Sequence, residues 1–188
     1  MGTEATLFYL VGASGSGKDS LLQACQADIA EHSLPLVVAH RYITRDWQAD
    51  NNNENFISLT PQDYKLRKQQ GLFALSWQAN GCDYAVGVEL KHWLDAGLSV
   101  IVNGSRAYLP MAKALFPKTL ISIEVSVADD VLQQRLALRN RESEEQIKQR
   151  LDRHSRLHFS CQTDTSIDNS GEFLVAYEQL KNIISQRV

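Results

Sequence analysis

The amino-acid sequence predicts an α/β fold, with a parallel sheet covered by helices on both faces. Apolar runs that suit buried strands alternate with segments of helical spacing along the chain. The first of these runs, residues 5–11, leads through a glycine-rich loop, Gly12–Lys18, into a helical pattern. The chain has 188 residues, of which 44% are hydrophobic, so a single domain can bury its own core.

The elements in the first half of the chain follow from apolar spacing and from turn residues. Thr60 and Pro61 mark the start of a short helix and Gly71 its end, because threonine caps helices, proline suits the first turn and glycine ends them. The polar stretch Trp47–Asn55 predicts an exposed loop. The other predicted elements are strands at 5–11 and 36–39, a helix at 18–31, and small strands at 72–75 and 83–86.

The second half continues the alternation. Pro110 lies in the first turn of a predicted helix that ends before Pro117. The region from Ala128 to about His158 has helical spacing, many arginines and an interruption at Asn140, so it predicts two helices that meet. The remaining elements are helices at about 89–96 and 171–186 and strands at 99–102, 119–127 and 165–167.

Composition and charge exclude several classes of protein. The formal net charge is −3, so no basic field indicates a nucleic-acid binder. The three cysteines are widely spaced without a C-x-x-C pair, which argues against a disulfide framework and a zinc site. No apolar stretch approaches about 18 residues, so we expect neither a signal peptide nor a membrane span. We expect a cytoplasmic protein without nucleic-acid or membrane partners, with a homodimer as one option for its assembly.

The glycine-rich loop predicts binding of a nucleoside triphosphate. Gly12, Gly15 and Gly17 allow the backbone to curl until successive N–H groups point inward, and the following helix adds its positive dipole end. Lys18 is expected to reach the β- and γ-phosphates. The alternative is a flexible turn that caps an ordinary helix. The predicted nucleotide-binding residues here are Gly12, Ala13, Ser14, Gly15, Ser16, Gly17, Lys18, Asp19 and Ser20.

Asp19 departs from the usual loop sequence, in which a serine or threonine after the lysine binds magnesium. The strand at 99–102 is followed by neutral Asn103, where an acid usually helps to hold the metal. We hypothesise that Asp19 restores a carboxylate to the Mg2+ site, because magnesium prefers hard oxygen ligands. In the alternative, Asp19 only complements the helix dipole while Ser20 turns inward.

The order and spacing of several segments resemble the guanylate kinase family over nearly the whole chain. These segments are Gly12–Lys18, His40–Arg45, Gly71–Gly87 and Arg135–Leu151. The resemblance implies a P-loop NTPase fold of the guanylate kinase type, in which an insertion holds the acceptor and a lid closes over the donor. We therefore expect one domain, 1–188, with its core at 1–35, 91–136 and 152–188, an acceptor-binding insertion at about 36–90 and a lid at about 137–151.

The acceptor positions differ from those of guanylate kinases, which recognise guanine through acidic side chains. Ser76, Asn103 and Ser105 stand where acids are expected. The chain is more similar to the branch of the family that phosphorylates a sugar bisphosphate in phosphonate catabolism. That resemblance implies transfer of the γ-phosphate of ATP, with Mg2+, to the 1-phosphate of α-D-ribose 1,5-bisphosphate, which yields 5-phosphoribosyl 1-diphosphate and ADP. The alternatives are a nucleoside monophosphate kinase with divergent base recognition and a non-catalytic module that binds protein partners.

The same resemblance implies which residues contact the two substrates, ATP and a small sugar phosphate. Lys18 and the lid arginines Arg139 and Arg150 are the candidate catalytic residues, and Arg135 and Asn169 are expected at the nucleotide. Arginines suit a strongly anionic sugar, whereas carboxylates would repel it. The candidate acceptor-binding residues are Arg41, Arg45, Tyr84, Asn103, Ser105 and Arg106. Each of these side chains also has a plainer interpretation, as part of a solvated helix face or a satisfied strand end.

Overall fold

The computed structural model describes residues 5–46, 55–138 and 162–188. Its strands are β1 (Leu7–Gly12), β2 (Leu36–Val38), β3 (Arg41–Ile43), β4 (Phe56–Ser58), β5 (Phe73–Ala79), β6 (Cys82–Gly87), β7 (Ser99–Asn103), β8 (Leu120–Ser126) and β9 (Thr165–Asp168). Its helices are α1 (Lys18–His32), α2 (Pro61–Gln69), α3 (Glu89–Asp95), α4 (Leu109–Leu115), α5 (Asp129–Leu138) and α6 (Phe173–Ser185). Across these residues, no helix combines the length and apolar character needed to cross a bilayer.

The larger sheet has five parallel strands in the order β2-β7-β1-β8-β9. Strand β1 lies at its centre, and Leu7, Phe8, Tyr9, Leu10 and Val11 are all fully buried. A parallel strand is covered on both faces, which explains the unbroken apolar run in the sequence. The predicted parallel sheet between helices is confirmed.

The two faces of β1 pack against different helices. Phe8 and Leu10 share one apolar cluster with residues of α1 and α6, such as Leu21 and Leu180. The alternate residues, including Tyr9, share another cluster with residues of α3, α4 and the second sheet. Because carboxyl ends of parallel strands meet at one edge, the glycine-rich loop after β1 lies beside the ends of β7, β8 and β9.

The second sheet is smaller and has the strand order β4-β3-β6-β5. Strands β3 and β4, of three residues each, were not predicted, because such short segments carry too little alternation to be recognised. Strand β2 pairs with β7 in the larger sheet, and the small sheet begins at Arg41, so the first strand of the predicted insertion at about 36–90 belongs to the larger sheet. Leu36 and Val38 are buried and share the apolar cluster of Phe8 and Leu10.

The capping signals identified two helix boundaries correctly. Thr60 caps α2, where its hydroxyl accepts a hydrogen bond from the Asp63 N–H at 3.1 Å, and a proline occupies the first turn. Pro110 likewise lies in the first turn of α4. The predicted interruption at Asn140 and nearly all of the predicted lid lie outside the described residues.

Asp164 fastens the start of β9 to its neighbours. Its carboxylate accepts hydrogen bonds from the Ser122 N–H (2.8 Å) and hydroxyl (2.6 Å), and from Lys113 Nζ (3.0 Å). Burial alone would raise the pKa of the Asp164 carboxyl, but the hydrogen bonds from Ser122 and the Lys113 ammonium outweigh it and lower that pKa. This contact matters for function because β9 leads directly to Asn169.

We expect the substitution Asp164→Asn to lower the free energy of unfolding by about 1 kcal/mol at pH 7, because charge-assisted hydrogen bonds are lost. The Asp164 carboxyl has a pKa of about 3.9 in the unfolded chain and a lower pKa in the folded protein. The stabilisation is therefore complete above the pKa of the unfolded chain, and it is lost as pH falls through the pKa of the folded protein. Denaturant unfolding at pH 7 and at about pH 3 checks this sign. The exposed Asp95→Asn variant is the control; an equal loss at both pH values contradicts the prediction.

Candidate active site

The backbone of the glycine-rich loop is held by its neighbours in β8 and by the segment after β9. A Cβ atom at Gly12 would lie 2.5 Å from the Val125 carbonyl oxygen, so only glycine fits against β8 at this position. Gly17 has a φ of 90°, and a Cβ atom there would collide with Asn169 Nδ2. These two glycines therefore fix the path of the loop between β1 and α1.

Lys18 and Ser16 form the interior of the loop. Lys18 is buried, and its Nζ donates to the carbonyl oxygens of Gly12 (3.0 Å) and Ala13 (2.8 Å) and to Ser16 Oγ (3.4 Å). Ser14 is exposed at the tip of the loop. The ammonium group therefore lies against the backbone of the loop, where the sequence predicts that phosphates bind.

Arg135 and Asn169 both lie beside the Cβ position of Gly17. Asn169 is buried and donates from Nδ2 to the Ser16 carbonyl at 2.7 Å, while its Oδ1 atom is buried without a hydrogen-bond partner among the described residues. The Arg135 Nη1 atom is about 4.0 Å from the Cβ position of Gly17 and is also buried without a partner in the described part of the chain. Buried polar atoms without partners are rare, so these two atoms mark a place for a polar ligand.

Helix α5 brings Arg135 to the loop through apolar packing. Leu132 and Leu136 lie 3.1 and 3.2 Å from the Cβ position of Gly15, and both are buried with Ala13. Arginine at position 135 falls between these leucines and points toward Gly17. The helix is thereby anchored to the loop on the side where the described part of α5 ends.

A charged cluster joins Asp19, Arg41 and Asn103. Asp19 Oδ1 accepts a hydrogen bond from Asn103 Nδ2 at 2.7 Å and one from Arg41 Nη2 at 3.4 Å. Asn103 is buried at the end of β7, and none of the residues that the structure describes forms a hydrogen bond with its Oδ1 atom. Ser20 is exposed, so it is Asp19 that faces the end of β7. The structure thus brings together the two residues that depart from the usual magnesium site.

Arg41, Arg45 and Tyr84 belong to one face of the small sheet. The Arg41 guanidinium carbon lies 5.8 Å from the centre of the Tyr84 ring, and that of Arg45 lies 4.8 Å from the centre of the Phe56 ring. Tyr84 in turn stacks on Trp77 at 5.7 Å. Tyr84 and Phe56 share their cluster with Leu7 and Tyr9 of β1, so this face is turned toward the larger sheet.

Tyr9 holds the loop that carries Ser105 and Arg106. Its hydroxyl accepts a hydrogen bond from the Ser105 N–H at 3.0 Å, and a side chain at Gly104 would overlap its ring. Arg106 begins a short 3-10 turn, Arg106–Tyr108, and is half-buried. Sequence reasoning missed the role of Tyr9; the available signal was a hydroxyl in the middle of an aliphatic buried strand.

Ser76 lies elsewhere than its two neutral companions Asn103 and Ser105. It pairs with Ala85, whose side chain clusters with Leu59 and Tyr64, whereas the adjacent residues Trp77 and Tyr84 face the larger sheet. Successive strand residues point to opposite faces. The neutrality of Ser76 therefore does not alter the surface that Arg41 and Arg45 share.

Comparisons with known proteins identify relatives of this chain by sequence and by structure. No protein-family model matches the chain. It is similar to ribose 1,5-bisphosphate phosphokinase PhnN of Pectobacterium parmentieri, with 49% identity over 168 residues that cover 88% of this chain and 86% of the relative. The proteins of the same name in Enterobacter lignolyticus and Yersinia pestis are 46% and 43% identical, cover 95% and 96% of this chain, and are themselves covered to 90% and 92%.

The chain belongs to the ribose 1,5-bisphosphate phosphokinase family. The identification made from the sequence motifs is confirmed by these relatives. A crystal structure of guanylate kinase from Anaplasma phagocytophilum superposes with a TM-score of 0.71, covers 100% of this chain and 88% of its own, and is 13% identical. That likeness confirms the predicted fold of the guanylate kinase type.

In this phosphokinase family member, the described candidates fall into two adjacent groups. The donor group, as we call the predicted nucleotide-binding residues Lys18, Arg135 and Asn169, lies around the glycine-rich loop. The acceptor group, as we call the predicted acceptor-binding residues, lies at the small sheet and the end of β7, and the Asp19–Arg41 contact joins the two. Arg139 and Arg150, the predicted catalytic arginines of the lid, lie outside the described residues.

We expect Gly17→Ala to abolish ATP binding, because the new methyl group meets Asn169 and forces both the loop and its anchor to move. Gly97→Ala is the matched control, since Gly97 has a similar φ of 84° but open space around its Cβ position. Both variants carry backbone strain of about 1 kcal/mol or more, and only the first should lose the ATP-induced rise in melting temperature. Equal ATP-induced shifts in the two variants would contradict this assignment.

Proposed function

We propose that this chain transfers the γ-phosphate of ATP to the 1-phosphate of α-D-ribose 1,5-bisphosphate and so forms 5-phosphoribosyl 1-diphosphate and ADP. The observation that carries the proposal is the cationic face of the small sheet, with Arg41 and Arg45, next to a phosphate-binding loop. The printed names of the relatives support the same acceptor. Neutral Asn103 and Ser105 at the end of β7 agree with an acceptor that carries negative charge instead of a purine.

The donor group orients ATP and offsets charge on the transferred phosphoryl group. The loop N–H groups and the first turn of α1 receive the phosphates, and Lys18 supplies a cation once its Nζ exchanges loop carbonyls for phosphate oxygens. Arg135 Nη1 and Asn169 Oδ1 gain partners from the nucleotide, since both atoms are buried without a partner among residues 5–46, 55–138 and 162–188. We assign the remaining positive charge around the transferred phosphoryl group to Arg139 and Arg150, the arginines that the sequence predicts in the lid.

The acceptor group holds two phosphate ends of one sugar. Arg41 and Arg45 lie on one face and Arg106 follows β7, so the three arginines can reach separate phosphate oxygens of a bisphosphate. The attacking atom is an oxygen of the 1-phosphate, which is ionised at neutral pH, so no side chain has to remove a proton. Catalysis then consists of aligning the donor and acceptor oxygens and stabilising the charge on the transferred group, as is usual in phosphoryl transfer.

The residues at the end of β7 fit a magnesium ion. Asp19 offers a carboxylate on a partly exposed side chain, and Asn103, whose Nδ2 atom donates to it, has a buried Oδ1 atom with no partner in the part of the chain that the structure describes. Both are hard oxygen donors of the kind magnesium prefers. A magnesium ion held there would neutralise part of the charge on the phosphates. We assign Asp19 and Asn103 to hold this ion. Separately, the cytoplasmic location expected from the sequence stays a prediction.

Phosphorus NMR tests the reaction directly. With ATP, Mg2+ and ribose 1,5-bisphosphate, we expect the diphosphate resonances of 5-phosphoribosyl 1-diphosphate to grow together with those of ADP. A parallel reaction with GMP in place of the sugar should give no GDP. GDP formation with an inert sugar bisphosphate would assign the chain to the nucleoside monophosphate kinases, and no turnover of either acceptor would favour a binding module.

Steady-state kinetics on Arg106→Ala tests the acceptor assignment. We expect KM for ribose 1,5-bisphosphate to rise about tenfold or more, because a charge-assisted hydrogen bond to phosphate is lost, while KM for ATP stays near its original value. Arg187→Ala, at an exposed position near the end of the chain, is the control and should match the parent enzyme. Unchanged constants for the sugar would remove Arg106 from the site.

A further inference from the structure

The contact between Asp19 and Arg41 joins the donor and acceptor groups of the site. Asp19 lies in the first turn of α1, beside Lys18 of the phosphate-binding loop, and Arg41 is the first residue of β3 in the small sheet. The Arg41 side chain is 10% exposed and that of Asp19 is 41% exposed. The ion pair is therefore buried at its cationic end and open at its anionic end.

We propose that this ion pair couples the two substrate sites, so that the acceptor strengthens binding of the magnesium–nucleotide complex and weakens binding of the metal-free nucleotide. The inference rests on the proposed function and adds to it the order of two events: Arg41 first leaves Asp19 for the acceptor, and Asp19 then interacts with the metal. It also gives a reason for aspartate at a position where P-loop enzymes usually have a neutral hydroxyl.

The first step of the coupling is competition for Arg41. Its Nη2 atom lies 3.4 Å from Asp19 Oδ1, and its guanidinium carbon lies 5.8 Å from the centre of the Tyr84 ring. A phosphate dianion carries more charge than a carboxylate and offers several oxygens to the planar fork of an arginine. An acceptor phosphate that arrives at this face therefore takes Arg41 away from Asp19.

The second step concerns the charge left on Asp19. Once Arg41 has turned to the acceptor, the hydrogen bond from Asn103 Nδ2 at 2.7 Å remains, and that donor is neutral. A carboxylate without its cation repels a metal-free polyphosphate at the adjoining loop and attracts a divalent cation. The sign of the coupling between acceptor and nucleotide consequently depends on the metal.

Isothermal titration with a non-hydrolysable ATP analogue, AMP-PNP, measures this coupling without turnover. For the parent protein in Mg2+, saturating ribose 1,5-bisphosphate should tighten AMP-PNP binding by about fivefold or more, which is the size of a typical coupling between sites. In EDTA, the same concentration of the sugar should weaken AMP-PNP binding. By linkage, AMP-PNP must change the affinity for the sugar by the same factors.

The variant Asp19→Asn removes the charge while it keeps a side chain of the same shape. Because Arg41 no longer has to leave a carboxylate, this variant should bind ribose 1,5-bisphosphate alone more tightly than the parent protein does. Its coupling should also lose the dependence on metal. Asp95→Asn is the matched control and should behave as the parent protein, since Asp95 is exposed at the end of α3.

The outcomes separate the coupling from the proposed reaction. If the parent protein binds both ligands and makes product, but the sign of the coupling is the same in Mg2+ and EDTA, the coupling is wrong and the reaction stands. If the sugar does not bind in any condition, both are overturned. The parent measurements do not depend on any variant, so an unfolded Asp19→Asn, detected by its melting temperature, leaves the central comparison decisive.

Discussion

The carboxylate of Asp19 is the point at which three parts of the fold meet. It stands on the first turn of α1, accepts a hydrogen bond from Asn103 at the end of β7 and contacts Arg41 at the start of β3. With serine or threonine at this position, the side chain could not form an ion pair with Arg41. The contact between Asp19 and Arg41 thus brings a cation of the small sheet next to the glycine-rich loop.

The loop that precedes Asp19 is shaped from outside as much as by its own glycines. The Val125 carbonyl leaves room only for glycine at position 12, and Asn169 closes over Gly17 and donates to the Ser16 carbonyl. Asn169 follows β9, and Asp164, just before that strand, is hydrogen-bonded to Ser122 of β8. Stability at one end of the β8–β9 pair thus supports geometry at the other end, where polar atoms of Asn103, Arg135 and Asn169 are buried without a partner among the described residues.

Much of this arrangement could be predicted from the sequence, because its signals are local. The apolar run before Gly12, the cap at Thr60 and the proline of α4 each fix an element through neighbouring residues. Strands β3 and β4 were missed because three residues do not reveal a period, and the pairing of β2 with β7 in the larger sheet is a long-range contact that the sequence does not show. The hydrogen bond from Ser105 to Tyr9 and the pair of Asp19 with Arg41 were out of reach for the same reason.

The most direct measurement is a crystal structure of the protein with AMP-PNP, Mg2+ and ribose 1,5-bisphosphate bound together. We expect the Arg41 guanidinium to lie within hydrogen-bond distance of an acceptor phosphate and the Asp19 carboxylate to face the metal. Arg41 still paired with Asp19, with the sugar bound away from the face that carries Arg41 and Arg45, would contradict this expectation.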